Sequence, residues 1–191
     1  MNLPVYLAAP EGWAMFFEFS QERGADWGSV YYILAGFGLI DTADPDLINL
    51  VGTLALAAAC AGIAALGLFA RRGPSPEQMV FLTVAAFLIT NKVWSPQFVL
   101  WLLPLAVLAF PRIVPSGPAV ALYGLWQLAE VGYFFGIWQH LRYVGLLGVG
   151  AAPAGLDFAA YAFVALGRLF SLLMVCALVA VDSLRNGDSR A

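Results

Sequence analysis

Three ionisable side chains stand inside or against long apolar runs of this chain: Lys92, Glu130 and Arg168. An ionised group at mid-bilayer costs at least ~2.5–3.5 kcal/mol, so each such position asks for a partner or a task. On a helix, Glu130 shares a face with Tyr123, Trp126, Tyr133 and Ile137, and Arg168 shares one with Asp157, Tyr161 and Ala165. Counted from the outer ends of their runs at about 1.5 Å per residue, Glu130 and Arg168 fall within one helical turn of equal depth. Two readings are open. Either the two are held structurally, as an ion pair or by tyrosine hydroxyls, fixing the register of two helices, or they line a polar cavity reaching the outer face.

Lys92 sits differently, in the run Asn91-Lys92-Val93-Trp94-Ser95-Pro96-Gln97-Phe98 at the junction of two apolar stretches. Ser95 can cap the following helix and Pro96 suits its first position, where no amide is missed. Backbone donors and an ammonium then point to one place, which suits a phosphate. The plainer alternative is a lysine snorkelling to the interface, with Trp94 and Trp101 as aromatic-belt residues. Pro104 is expected to kink the helix that follows. His140 and Arg142, beyond Trp138, suit contact with an anionic or sugar-bearing ligand. The sequence contains no nucleophilic triad, zinc-ligand spacing or phosphate-cradling glycine loop, so no metal or cofactor is implied.

The elements that must position these residues are membrane helices. The chain is 62% apolar and 11% charged, with a mean hydropathy of +0.83. Soluble domains run at roughly 45–50% and 25%. A formal charge of −3 does not suggest nucleic acid. Cys60 and Cys176 fall in apolar runs and read as buried filler. The first basic residue is Arg23, so the start lacks the basic region of a secretory leader.

The expected architecture is all-α: a polytopic bundle of about five spanning helices, preceded by an outer-face polar and aromatic segment over 1–46. The bundle covers 47–182 and a cytoplasmic tail 183–191. Within the first segment, 30–40 is apolar but too short to span and reads as an interfacial or re-entrant helix. The spans are expected over 47–70, 78–94, 96–110, 119–138 and 156–181, the second and third being short. The first carries Gly52, Ala55, Ala58, Ala59, Gly62 and Gly67, small residues that let helices approach closely. If spans alternate, Arg71, Arg72, Arg112, Arg185 and Arg190 share one side, and Arg23, Lys92 and Arg142 share the other with most of the acids. The positive-inside rule then places 1–46 outside and the C-terminus in the cytoplasm of a plasma (inner) membrane protein.

The central run, continuing through Leu100-Trp101-Leu102-Leu103-Pro104, resembles a signature in the C-terminal half of family 87 glycosyltransferases. Glu22-Arg23-Gly24-Ala25-Asp26-Trp27-Gly28-Ser29 resembles the segment before that half, and Trp126-Gln127-Leu128-Ala129-Glu130-Val131-Gly132-Tyr133 the segment after the signature. The resemblance covers most of the chain. It implies a multi-spanning enzyme moving a sugar, typically mannose, from a polyprenyl phosphate donor to a glycolipid or glycan acceptor on the outer face. Such enzymes use an acid in the first outer loop. That loop and the N-terminal half have no counterpart here, so the catalytic residue is unassigned. The expectation is a fragment inactive by itself, with a separate N-terminal half as a candidate partner.

Carried onto this chain, the resemblance makes Lys92, Ser95 and Arg142 the donor-phosphate contacts. Asn91, Trp94, Gln97, Trp101 and Trp126 become cavity, lipid or sugar contacts. Glu130, Tyr133 and Arg168 stand behind them as organisers. Two other readings remain: a non-enzymatic scaffold or partner subunit, and a small transporter coupled through Glu130 and Arg168.

Overall fold

The computed structural model describes residues 2–110, 117–148 and 154–184, and among these every regular element is helical. The elements are α1 (Leu3–Ala8), α2 (Pro10–Glu22), α3 (Val30–Gly36), α4 (Pro45–Phe69), α5 (Pro76–Thr90), α6 (Val99–Ala109), α7 (Gly117–Tyr143) and α8 (Phe158–Leu184). Helix starts follow local chemistry. Asp44 Oδ1 accepts from the amides of Asp46 and Leu47 ahead of α4, whose first residue is Pro45. Ser29 caps α3 through the Tyr32 amide. Ser75 and Gln78 form a reciprocal capping box on α5. Ser75→Ala should therefore lower stability by about 1 kcal/mol, read as the midpoint of thermal unfolding in detergent. An unchanged midpoint would show that the cap contributes nothing.

Three helices, α4, α7 and α8, are long and apolar enough to cross a membrane. They make this a helical membrane protein. The expected second and third spans are shorter. α5 has 15 residues, and a 3-10 turn (Pro96–Phe98) with α6 adds 14 more. Each arm of this hairpin is about 22 Å long, against a hydrocarbon core of roughly 30 Å.

The base of the hairpin is locked at what we call the distal end. There Arg72 Nη1 donates to Asp182 Oδ1 at 2.7 Å, while Gln78 Nε2 reaches Asp182 Oδ2 and the Ala109 carbonyl. With its base fixed, the tip at 91–98 stops inside the bundle rather than at the opposite surface. The space above it is filled by residues 23–36. α3 buries Tyr31 and Ile33, and Ile33 joins Tyr133, Ile137, Tyr161 and Ala165 in one apolar cluster. A larger cluster lies below the tip, built from Phe81, Leu88, Leu102, Trp126, Leu172 and Val175.

Several expectations change here. Residues 3–22, within the segment the sequence reads as polar and aromatic, form two helices that were not among the expected elements. The apolar stretch 30–40 is helical only to Gly36 and ends in a turn with Gly38 at φ +71°. Ser95 precedes the turn before α6 but its side chain makes no cap bond. Pro104 lies within α6 on its exposed side. Arg112, Arg185 and Arg190 lie outside the described residues, as does most of the expected tail.

Candidate functional site

The hairpin tip is irregular backbone held among transmembrane helices, and such backbone is tolerated only where its polar groups find protein partners. They do. The Lys92 carbonyl accepts from the Asp26 amide at 2.8 Å. Asn91 Oδ1 accepts from the Val93 amide at 2.9 Å. The carbonyls of Trp94 and Ser95 accept from Arg168 Nη1 at 3.1 Å and Nη2 at 3.4 Å.

Arg168 is the hub. Its Nε donates to Glu130 Oε2 at 2.8 Å, and Glu130 Oε1 accepts from Trp126 Nε1 at 3.1 Å. Its guanidinium carbon sits 4.0 Å from the Trp94 ring centre and 4.2 Å from that of Tyr133. The arginine and glutamate side chains are 1% and 5% exposed, so this cation is closed off from any ligand. The geometry is a latch. One planar fork neutralises a carboxylate on α7 and satisfies two carbonyls on the tip, as only arginine can. Arg168 is three residues, about 5 Å, from the middle of α8, which fixes the depth of the tip.

Above the latch, Tyr161 donates to the Trp27 carbonyl at 2.8 Å, and its hydroxyl lies 3.3 Å from that of Tyr133. The His140 ring stacks on Tyr161, with centroids 4.2 Å apart. A carbonyl can only accept, so His140 Nδ1 donates to Leu156 O at 3.1 Å and Nε2 accepts from the Tyr32 hydroxyl at 2.8 Å. The histidine is thus committed to holding α3 against α7 and α8.

Lys92 belongs to a separate place. Its Nζ donates to the Gln21 carbonyl at 2.9 Å, and Asn49 Nδ2 donates to the same oxygen at 3.0 Å. One of three ammonium donors is used. The lysine closes a cavity of about 170 Å³ between α4 and α5, whose polar lining is Asn49, Thr53, Thr90 and Asn91 and whose apolar walls are Ile48, Leu56 and Phe87. Here a cation with unused donors meets a cavity.

The residues named from sequence therefore divide. Lys92 and Asn91 line the α4–α5 cavity. Ser95 and Gln97 lie at the base of a second cavity of about 480 Å³, walled by Leu100, Phe134, Trp138 and Leu141. Ser95 Oγ donates to Asp26 Oδ2 at 3.4 Å. Trp101 is exposed and stacks on Phe98. Trp94 and Trp126 are buried in protein, and Trp94 borders an apolar cavity of about 210 Å³ between α3 and α8. Arg142 is exposed twelve residues, about 18 Å, beyond Glu130 along α7, and the structure does not bring it to Lys92 or Ser95.

Asp26, Gly28, Asn49 and Thr53 were missed. Each lies far from 91–98 in sequence, and no periodicity links them. For Asp26 and Gly28 the available signal was the run 22–29, quoted for its resemblance but given no site residue. The chain matches no family model, no curated protein and no solved structure.

Proposed function

We propose that this chain corresponds to the C-terminal portion of a membrane glycosyltransferase that takes a sugar from a polyprenyl phosphate donor. The sugar is typically mannose, and the acceptor is a glycolipid or glycan. In this reading five helical segments sit in the plasma (inner) membrane, the end carrying residues 2–44 faces outside, and the C-terminus is cytoplasmic. Arg71 and Arg72 at the opposite end agree with the positive-inside rule. The sequence resemblance supplies the reaction class.

The observation that carries the reading is the α4–α5 cavity. An ammonium with two unused donors caps a pocket whose polar side chains give way to apolar walls. That combination suits a phosphate at the head of a hydrocarbon chain, because the cation offsets charge left on phosphate as the sugar departs. Asn49 and Thr53 join Lys92 as contacts in this proposal. Arg142 leaves the phosphate group, and Trp94 and Trp126 act through packing.

The reading predicts that the chain in lipid nanodiscs binds a short polyprenyl phosphate, followed by native mass spectrometry. Lys92→Ala should weaken binding roughly tenfold or more, the loss expected for a hydrogen bond to a charged group. The matching prenyl alcohol should bind both proteins equally. Equal phosphate binding by the two proteins would refute the assignment.

A partner-subunit reading draws on a different observation. The Arg168 latch is fully occupied and enclosed, as befits a scaffold. It predicts no phosphate-dependent binding to either protein.

A further inference from the structure

α1 and α2 have no buried residue, yet they carry much of the exposed aromatic surface of the chain. Phe16 is 69% exposed and Phe19 63%, and Leu3 and Leu7 are equally bare. At 100° per residue, Glu11, Glu18 and Glu22 fall within about 40° of one another on α2, Trp13, Phe16 and Phe17 lie on the opposite side, and Phe19 stands at the border between the two, about 60° from Glu22. Tyr6 packs on Trp13 at 5.3 Å and Trp13 on Phe17 at 4.7 Å, so the two helices present one aromatic plate.

The position of this plate is fixed at its C-terminal edge. Asn49 and Lys92 both hold the Gln21 carbonyl. Asn49 lies eight residues, about 12 Å, from Ala57 at the middle of α4. Half the hydrocarbon core is about 15 Å, so Gln21 is pinned close to the level where acyl chains meet headgroups. The exposed residues Leu47, Leu50 and Leu54 continue the apolar surface along α4.

We propose that α1–α2 is an in-plane membrane anchor, with its aromatic side in the acyl–headgroup boundary and its acids toward water. The partner is the lipid surface itself. Tryptophan and tyrosine are favoured at this level, and a helix with opposed apolar and charged sides lies in it rather than across it. The acids oppose binding to anionic lipid, so the anchor fits a zwitterionic leaflet. This inference does not depend on the glycosyltransferase reading.

The test is spin labelling of the full chain in phosphatidylcholine nanodiscs, after Cys60→Ala and Cys176→Ala. Labels placed by Phe16→Cys and Phe19→Cys should collide more with oxygen than with a water-soluble nickel chelate, the label at 16 lying deeper than the one at 19. Labels placed by Glu11→Cys and Glu18→Cys should show the reverse. The proposal is overturned if the nickel chelate reaches all four positions, if both probes are excluded at 16 and 19 as under a protein partner, or if depth changes steadily along the helix. On the unmodified chain, a lipid with a photoreactive acyl chain should label the 2–22 peptide; no label there would also overturn it.

Discussion

Arg168→Ala should be the most damaging single change in this protein, with a loss of about 3–5 kcal/mol, the cost of leaving a buried partner charge uncompensated. The substitution strands the Glu130 carboxylate and removes the donors to the carbonyls of Trp94 and Ser95. Two further variants separate these effects. Replacing a buried ion pair by apolar residues is often neutral when the pair is all that is lost. Here Arg168→Met combined with Glu130→Leu should remain destabilised, because the tip carbonyls still lack donors in the membrane. Arg168→Lys should fail as well, since a single ammonium cannot reach a carboxylate and two carbonyls with fork geometry. Reversible unfolding in mixed micelles measures the losses, and proteolysis within 91–98 reports release of the tip. A double variant as stable as the parent would show that the latch is only an ion pair.

The second large effect belongs to Gly28→Ala. A methyl group at this position would fall on the Trp94 carbonyl oxygen and the Tyr133 hydroxyl. The first of these is fixed backbone, held by Arg168, and cannot move aside as a flexible side chain would. Overpacking of this kind costs about 1–3 kcal/mol. The expected result is displacement of residues 23–33 from the tip, breaking the Asp26 amide to Lys92 carbonyl bond. Hydrogen exchange at the Asp26 amide should rise, and Lys92-dependent phosphate binding should weaken. Gly24→Ala is the control, because nothing lies near its added carbon. Equal behaviour of the two variants would contradict close packing at Gly28.

Much of the bundle was legible from composition and period. The long apolar runs form helices, while the caps at Asp44, Ser75 and Ser29 were not among the expectations and the one that was, at Ser95, makes no cap bond. The shared depth of Glu130 and Arg168 followed from counting residues, since helical rise is nearly constant. The break at 91–98 was visible because Lys92, Trp94, Ser95 and Pro96 interrupt a hydrophobic run.

Composition and periodicity alone determined the class of the protein, the helical character of its long runs and the positions where charge had to be accommodated. These are local matters, fixed by the cost of unpaired backbone and charge in hydrocarbon. Tertiary structure decided which groups meet that cost. The Asp26 amide serves a carbonyl 66 residues away, and Arg168 serves two carbonyls more than 70 residues back. It also decided that Trp94 is interior, that Lys92 keeps donors free at a cavity and that residues 3–22 stay outside the core. No spacing rule carries such facts, because they depend on how far each helix reaches when it packs against the others.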